Sequence, residues 1–190
     1  MSRLVWVLAF ALISAAAATS FQSNSFVAAE DGGSIFVERV AAFVRLHKGL
    51  DAALPPPTGA TEAERGVARQ RALTSALIAA RRDARQGDVF TPVVAARFRA
   101  ILRDAFTGPD GANIRRTLKE GDPVTLPPMH VNDVYPENAP LVTMPPTLLR
   151  RLPSLPMELS YRIVGRELVL KDVDTNVIVD VLPDAVPAAP

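Results

Sequence analysis

The sequence predicts an α+β protein with three to four helices, a proline-rich extended belt and a small C-terminal three-stranded antiparallel meander. Three observations support this class. Apolar residues recur at helical spacing through residues 34–121. Nine prolines fall within residues 122–157, too many for long helices or central strands. Apolar and polar residues then alternate over residues 158–182, as in half-buried strands. We expect residues 34–182 to form one domain.

Residues 1–18 have the organisation of an export signal. Arg3 is followed by an uncharged apolar run over residues 4–13, and residues 14–18 are small, as a signal peptidase requires. The apolar run is shorter than the roughly 20 residues that a membrane-spanning helix needs. We therefore expect cleavage near Ala18, a periplasmic or secreted location, and no stable membrane span after cleavage. An uncleaved anchor is the alternative.

The composition limits the possible partners. Arg3 is the only charged side chain of the predicted signal, so the rest of the chain carries equal numbers of acidic and basic side chains. This balance argues against a nucleic-acid partner, because phosphate binding needs a net basic character or a basic face. The chain has 0 Cys, which excludes disulfides, thiolate metal ligands and cysteine nucleophiles. Packing or a partner must therefore stabilise the fold.

The first helix is predicted over residues 34–53, after a flexible arm of small and polar residues at 19–33. Consecutive prolines at residues 55–57 end this helix, because they cannot continue its hydrogen-bond ladder. Its apolar face carries Phe36, Val40, Phe43, His47 and Leu50. A histidine on such a face is interpreted as a core or boundary residue.

Three further helices have recognisable ends. Thr61 and Glu64 form the spacing of a capping box at the start of the second helix, and Gly87 is its expected C-cap. Thr91 as N-cap with Pro92 at the first helical position begins the third. A short fourth helix is predicted over residues 111–120.

The remaining third is predicted to be a belt, a meander and a tail. Apolar residues persist through the proline-rich residues 122–157, which favours a belt packed on the helices, with one short helix beginning at Pro146. Within the meander at residues 158–182, Gly165 and Arg166 fit a two-residue type II′ hairpin turn. Residues 183–190 are expected to form a frayed tail.

His130 is the candidate catalytic residue. It lies in a proline-flanked stretch with Asp133 and Glu137, and a histidine with carboxylates could act as a general base or bind a metal. The other interpretation is that an extended belt carries such residues to stay soluble. Signatures of serine hydrolases, phosphate loops and dinucleotide sites are absent, so no cofactor is predicted.

Asp172, Asp174 and Asn176 are the candidate metal ligands. Their spacing matches the first positions of a calcium loop, but Val177 occupies the position of the required glycine and Pro183 that of the bidentate glutamate. A tight turn between two strands explains the same residues.

The C-terminal third carries a set of residues shared with known exported modules: Leu155 and Pro156, Tyr161, Val164 and Gly165, residues 168–170, Asp172, and residues 178–181. On these residues it resembles small modules at the ends of exported bacterial proteins and, more loosely, the periplasmic nickel/cobalt-homeostasis type. Residues 87–180 are similar to a family of exported bacterial proteins of unknown function. The resemblance implies an envelope location and a small sheet, and it implies no catalytic residue.

Two hypotheses for function follow. The first is a non-enzymatic, exported accessory or interaction protein whose partner is an envelope protein. It rests on the export signal together with the lack of a clear catalytic motif. The alternative is a small periplasmic hydrolase or metal-assisted enzyme centred on His130, and substitution of His130 by alanine separates the two.

Overall fold

The computed structural model describes residues 21–119, 128–136 and 144–187, so the predicted signal lies outside the described residues. Helices precede a three-stranded antiparallel sheet in the order β1-β2-β3, which confirms the predicted α+β class and the meander. The elements are α1 (Phe21–Ala53), α2 (Glu62–Ala80), α3 (Pro92–Thr107), α4 (Gly111–Lys119), α5 (Pro146–Leu149), β1 (Leu159–Val164), β2 (Glu167–Asp172) and β3 (Ile178–Leu182).

The first helix is longer than predicted. Residues 21–33, expected to belong to a flexible arm, are helical and continue into the rest of α1. Gly32, within the expected arm, lies against the start of α3. A Cβ on Gly32 would come within 3.1 Å of the Val93 carbonyl oxygen, so the missing side chain permits close helix packing.

The second helix begins as predicted and ends earlier. Both hydrogen bonds of the capping box between Thr61 and Glu64 are present, but α2 ends at Ala80 rather than near Gly87. Beyond it, the backbone N–H groups of Gly87, Val89 and Phe90 donate to the buried carboxylate of Asp180 at 2.7–2.9 Å. This distant carboxylate holds residues 87–90 as a loop.

The core lies between the helices and one face of the sheet. Four aromatic rings meet at its centre: the Phe98 ring centroid is 4.9 Å from that of Phe36, 5.2 Å from Phe90 and 6.0 Å from Tyr161. Full burial of each such side chain contributes about 1.5–3 kcal/mol relative to exposure. These contacts join α1, α3 and β1 and fix the position of the sheet against α1.

Residues 128–136 of the proline-rich belt pack on the opposite face and edge of the sheet, whereas Met144, Leu148 and Leu152 of the same belt belong to the main core. Asn132 N–H donates to the Ile178 carbonyl, and Ile178 N–H donates to the Asp133 carbonyl, each at 2.8 Å. The short helix at Pro146 is present as α5. The C-terminal tail is less frayed than expected, because Val186 is buried and its N–H donates to the Arg166 carbonyl at 3.0 Å.

Candidate functional site

A buried histidine–aspartate pair connects α1 to the end of β2. His47 lies on the apolar, core-facing side of α1 and is 4% exposed, as predicted for a core or boundary residue. Asp172 lies two residues beyond Leu170 on β2, so strand alternation directs it to the same core, where it is 0% exposed. The His47 Nδ1 and Asp172 Oδ2 atoms are 2.7 Å apart.

Both carboxylate oxygens of Asp172 are engaged. Its Oδ1 accepts hydrogen bonds from the backbone N–H of Thr175 at 2.8 Å and from the Thr175 hydroxyl at 2.6 Å. The predicted tight turn between β2 and β3 is therefore held by Asp172 itself. The same carboxylate orders the turn and anchors it to α1 through His47.

The second ring nitrogen of His47 faces another carboxylate. Its Nε2 lies 3.3 Å from Asp174 Oδ2, and the Asp174 side chain is largely exposed. The shorter Nδ1–Asp172 contact is a buried hydrogen bond that joins α1 to the turn after β2, and we call this His47–Asp172 pair the clamp.

A polar cavity of about 330 Å³ lies beside this clamp, between α1, α2 and the turn after β2. Arg69 forms an ion pair with Asp51 at 2.7 Å across it, and Gln70 Nε2 donates to the Asp174 carbonyl at 2.9 Å. These contacts satisfy the polar groups of the cavity with one another. They add to the connection between α1, α2 and the sheet.

The residues predicted around His130 are only partly brought together. His130 Nδ1 lies 3.4 Å from Asp133 Oδ2, and the two side chains are 70% and 63% exposed. Glu137, the third member of that group, lies outside the described residues. The described pair is therefore open to solvent.

The predicted metal ligands make other contacts. Asp172 and Asp174 face the two nitrogens of His47, and Asn176 Oδ1 accepts a hydrogen bond from Lys171 Nζ. Among residues 21–119, 128–136 and 144–187, no group of three His, Cys, Asp or Glu side chains could hold a metal ion. The geometry here is that of a strand-connecting turn with φ of 58° at Asn176.

An apolar depression beside α1 was not predicted. We call it the α1 groove. It has a volume of about 420 Å³, and Arg45 and Lys48 lie at one end. Its apolar lining comprises Phe36, Val37, Val40, Ala41, Val44 and Pro156. The sequence did contain a pattern that indicates this groove: Val37, Ala41 and Val44 recur at i, i+4 and i+7 as a second apolar stripe beside the core-facing one.

A second depression follows the free side of β1. We call it the β1 pocket. It has a volume of about 410 Å³ and combines mainly apolar walls with the side chains of Ser160 and Arg162. Residues 153–157 separate it from the α1 groove, and Ser154 and Pro156 line both.

Comparison with known proteins adds no assignment: no family model, curated protein or solved structure matches the chain. Within the part of the chain that the structure describes, no helix has the length and apolar character needed to cross a membrane.

Proposed function

We propose that the protein is an exported accessory protein that acts by binding another protein of the cell envelope, and that the α1 groove is its docking surface. The observation that carries this proposal is the exposed apolar stripe of α1. Val37, at the N-terminal end of that stripe, is 61% exposed. The export signal at residues 1–18 supports the location, since its charge, apolar run and small residues all follow the pattern of cleaved signals.

The shape and charge of the α1 groove favour an amphipathic helix as its occupant. The lining on α1 runs from Phe36 to Lys48, which corresponds to about 18 Å along a helix axis. A helix packed alongside would present apolar side chains at i, i+3 or i+4, and i+7. An acidic residue near its end would face Arg45, for which the described residues contain no ion pair.

The described histidines support contact rather than catalysis. His47 faces carboxylates on both ring nitrogens, and His130 pairs with Asp133 in an exposed position. Neither arrangement holds a base within a cavity that excludes water, which is where a tuned acid–base group works best. The hydrolase alternative centred on His130 would require the bound substrate itself to exclude water from His130.

A photo-crosslinking amino acid placed at Val37 tests the proposal in the producing cell. Val67 on α2 is the matched control, since it is a helical valine, 46% exposed, outside the lining of the α1 groove. We expect Val37, and not Val67, to crosslink to one envelope protein. Mass spectrometry of the crosslinked peptide should identify an amphipathic helix with an acidic residue near one end.

One control variant, and the outcomes that would contradict the proposal, complete the test. Arg45→Glu should reduce the Val37 crosslink because it reverses the charge at the end of the groove. A Val37 crosslink to a second copy of this chain or to lipid would contradict the proposed partner, as would equal crosslinking from Val37 and Val67.

A further inference from the structure

The β1 pocket combines apolar walls with two polar groups at the edge of the sheet. β1 is an outer strand, because the sheet order is β1-β2-β3. Met144, Leu149 and Leu155 are among the apolar residues on its walls. Ligand pockets commonly have this character, a mostly apolar enclosure with a few placed polar groups that orient the ligand.

Ser160 contributes an unused hydrogen-bonding group to the pocket. Its Oγ atom is buried, and no hydrogen-bond partner for it exists among the described residues. A buried hydroxyl without a partner is destabilising. A ligand that supplies an acceptor removes this cost, so the position of the hydroxyl favours a polar ligand group beside it.

Arg162 makes the same region positive. Its guanidinium donates to the Tyr161 carbonyl oxygen at 3.0 Å, and no ion pair within the described ranges includes it. Lys171 is the cross-strand neighbour of Ser160, but its Nζ donates to Asn176 Oδ1 and it does not line the pocket. The positive charge that favours an anion in the β1 pocket is therefore that of Arg162.

We propose that the β1 pocket binds a small apolar molecule ending in one carboxylate, a medium-chain fatty acid. The carboxylate accepts hydrogen bonds from Ser160 Oγ and the Arg162 guanidinium, and the apolar chain packs against Met144, Leu149 and Leu155. A volume of about 410 Å³ corresponds to roughly a dozen non-hydrogen atoms, taking about 30 Å³ for each water-sized group. Decanoate has that size. This site is distinct from the α1 groove, and neither proposal depends on the other.

Calorimetric titration of the purified chain with decanoate and with decan-1-ol tests the inference. Charge-assisted hydrogen bonds are roughly twice as strong as neutral ones, so we expect wild-type protein to bind decanoate about tenfold more tightly than the alcohol. Arg162→Met should abolish that preference. Arg150→Met is the matched control, since Arg150 is exposed, follows α5 and does not line the pocket. It should keep the wild-type preference.

Two further variants keep the test decisive. Ser160→Ala is a smaller change that tests the site if Arg162→Met does not fold. It should weaken decanoate binding and leave decan-1-ol binding unchanged. Val37→Glu alters the α1 groove and should leave both ligands unaffected. Any of three results would overturn the assignment. The first is no saturable binding of decanoate, and the second is a preference for decanoate over decan-1-ol that survives Arg162→Met. The third is tighter binding of acetyl-leucyl-leucine than of decanoate.

Discussion

Replacement of Asp172 by alanine should strongly destabilise the protein. The substitution removes the acceptor for three donors: the His47 ring nitrogen, the Thr175 backbone N–H and the Thr175 hydroxyl. Each buried donor left without a partner costs about 1–3 kcal/mol. Because single substitutions rarely cost more than about 5 kcal/mol, we expect a loss of about 3–5 kcal/mol in the free energy of unfolding. In a domain of this size that corresponds to a melting temperature lower by about 6–20 °C.

Urea titration followed by far-ultraviolet circular dichroism measures this loss. The coupling between Asp172 and His47 comes from a double-mutant cycle with Asp172→Ala, His47→Ala and the double variant, and should exceed about 1 kcal/mol. Asp174→Ala is the matched control: its carboxylate also contacts His47 but is 60% exposed, so we expect about 0–1 kcal/mol. An Asp172→Ala variant as stable as wild type, or an equal loss for Asp174→Ala, would refute the clamp.

Three other outcomes follow from the structure. Asp180→Ala leaves four backbone N–H groups without their acceptor and should lower the free energy of unfolding, measured by urea titration, by about 4–5 kcal/mol. Asp83 is the control: its side chain is 89% exposed, so Asp83→Ala should change stability by no more than about 0.5 kcal/mol. The Lys48 hydrogen bond lowers the pKa of Glu158 below 4.5, so this pair stabilises the fold above pH 4.5. The stabilisation is lost as pH falls through the lower pKa of the folded state. Lys48→Met should flatten that part of the pH–stability curve, and an unchanged curve would contradict the assignment. Because Trp6 is the only tryptophan and lies in the predicted signal, exported protein should lack tryptophan fluorescence, and fluorescence from the purified exported chain would show that the leader is retained.

Local chemistry made much of the fold predictable. The start of α2 follows from Thr61 and Glu64, and the start of α3 from Pro92, because capping and proline geometry act over a few residues. The meander follows from the alternation in β1 and from Gly165, whose φ of 58° suits the hairpin turn. The loop after α2 was not predictable in this way, since Asp180, more than 90 residues further along the chain, holds it.

The clamp was hidden for the same reason. His47 and Asp172 are 125 residues apart, and no sequence spacing indicates such a pair. A partial signal existed: His47 lay on the apolar face of its helix and Asp172 in phase with Leu168 and Leu170, so both were placed toward the core, where polar groups need partners. The export signal, the family resemblance and the envelope partner stay predictions.

Binding of the partner's helix to the purified chain tests the central claim most directly. A synthetic peptide covering the segment crosslinked at Val37 would be titrated against wild type, Val37→Glu and Val67→Glu. We expect Val37→Glu to weaken binding by at least about tenfold, since it places an unpaired charge in the apolar part of the interface, and Val67→Glu to leave it within about twofold. Equal affinities for the three proteins would contradict the α1 groove as the docking surface.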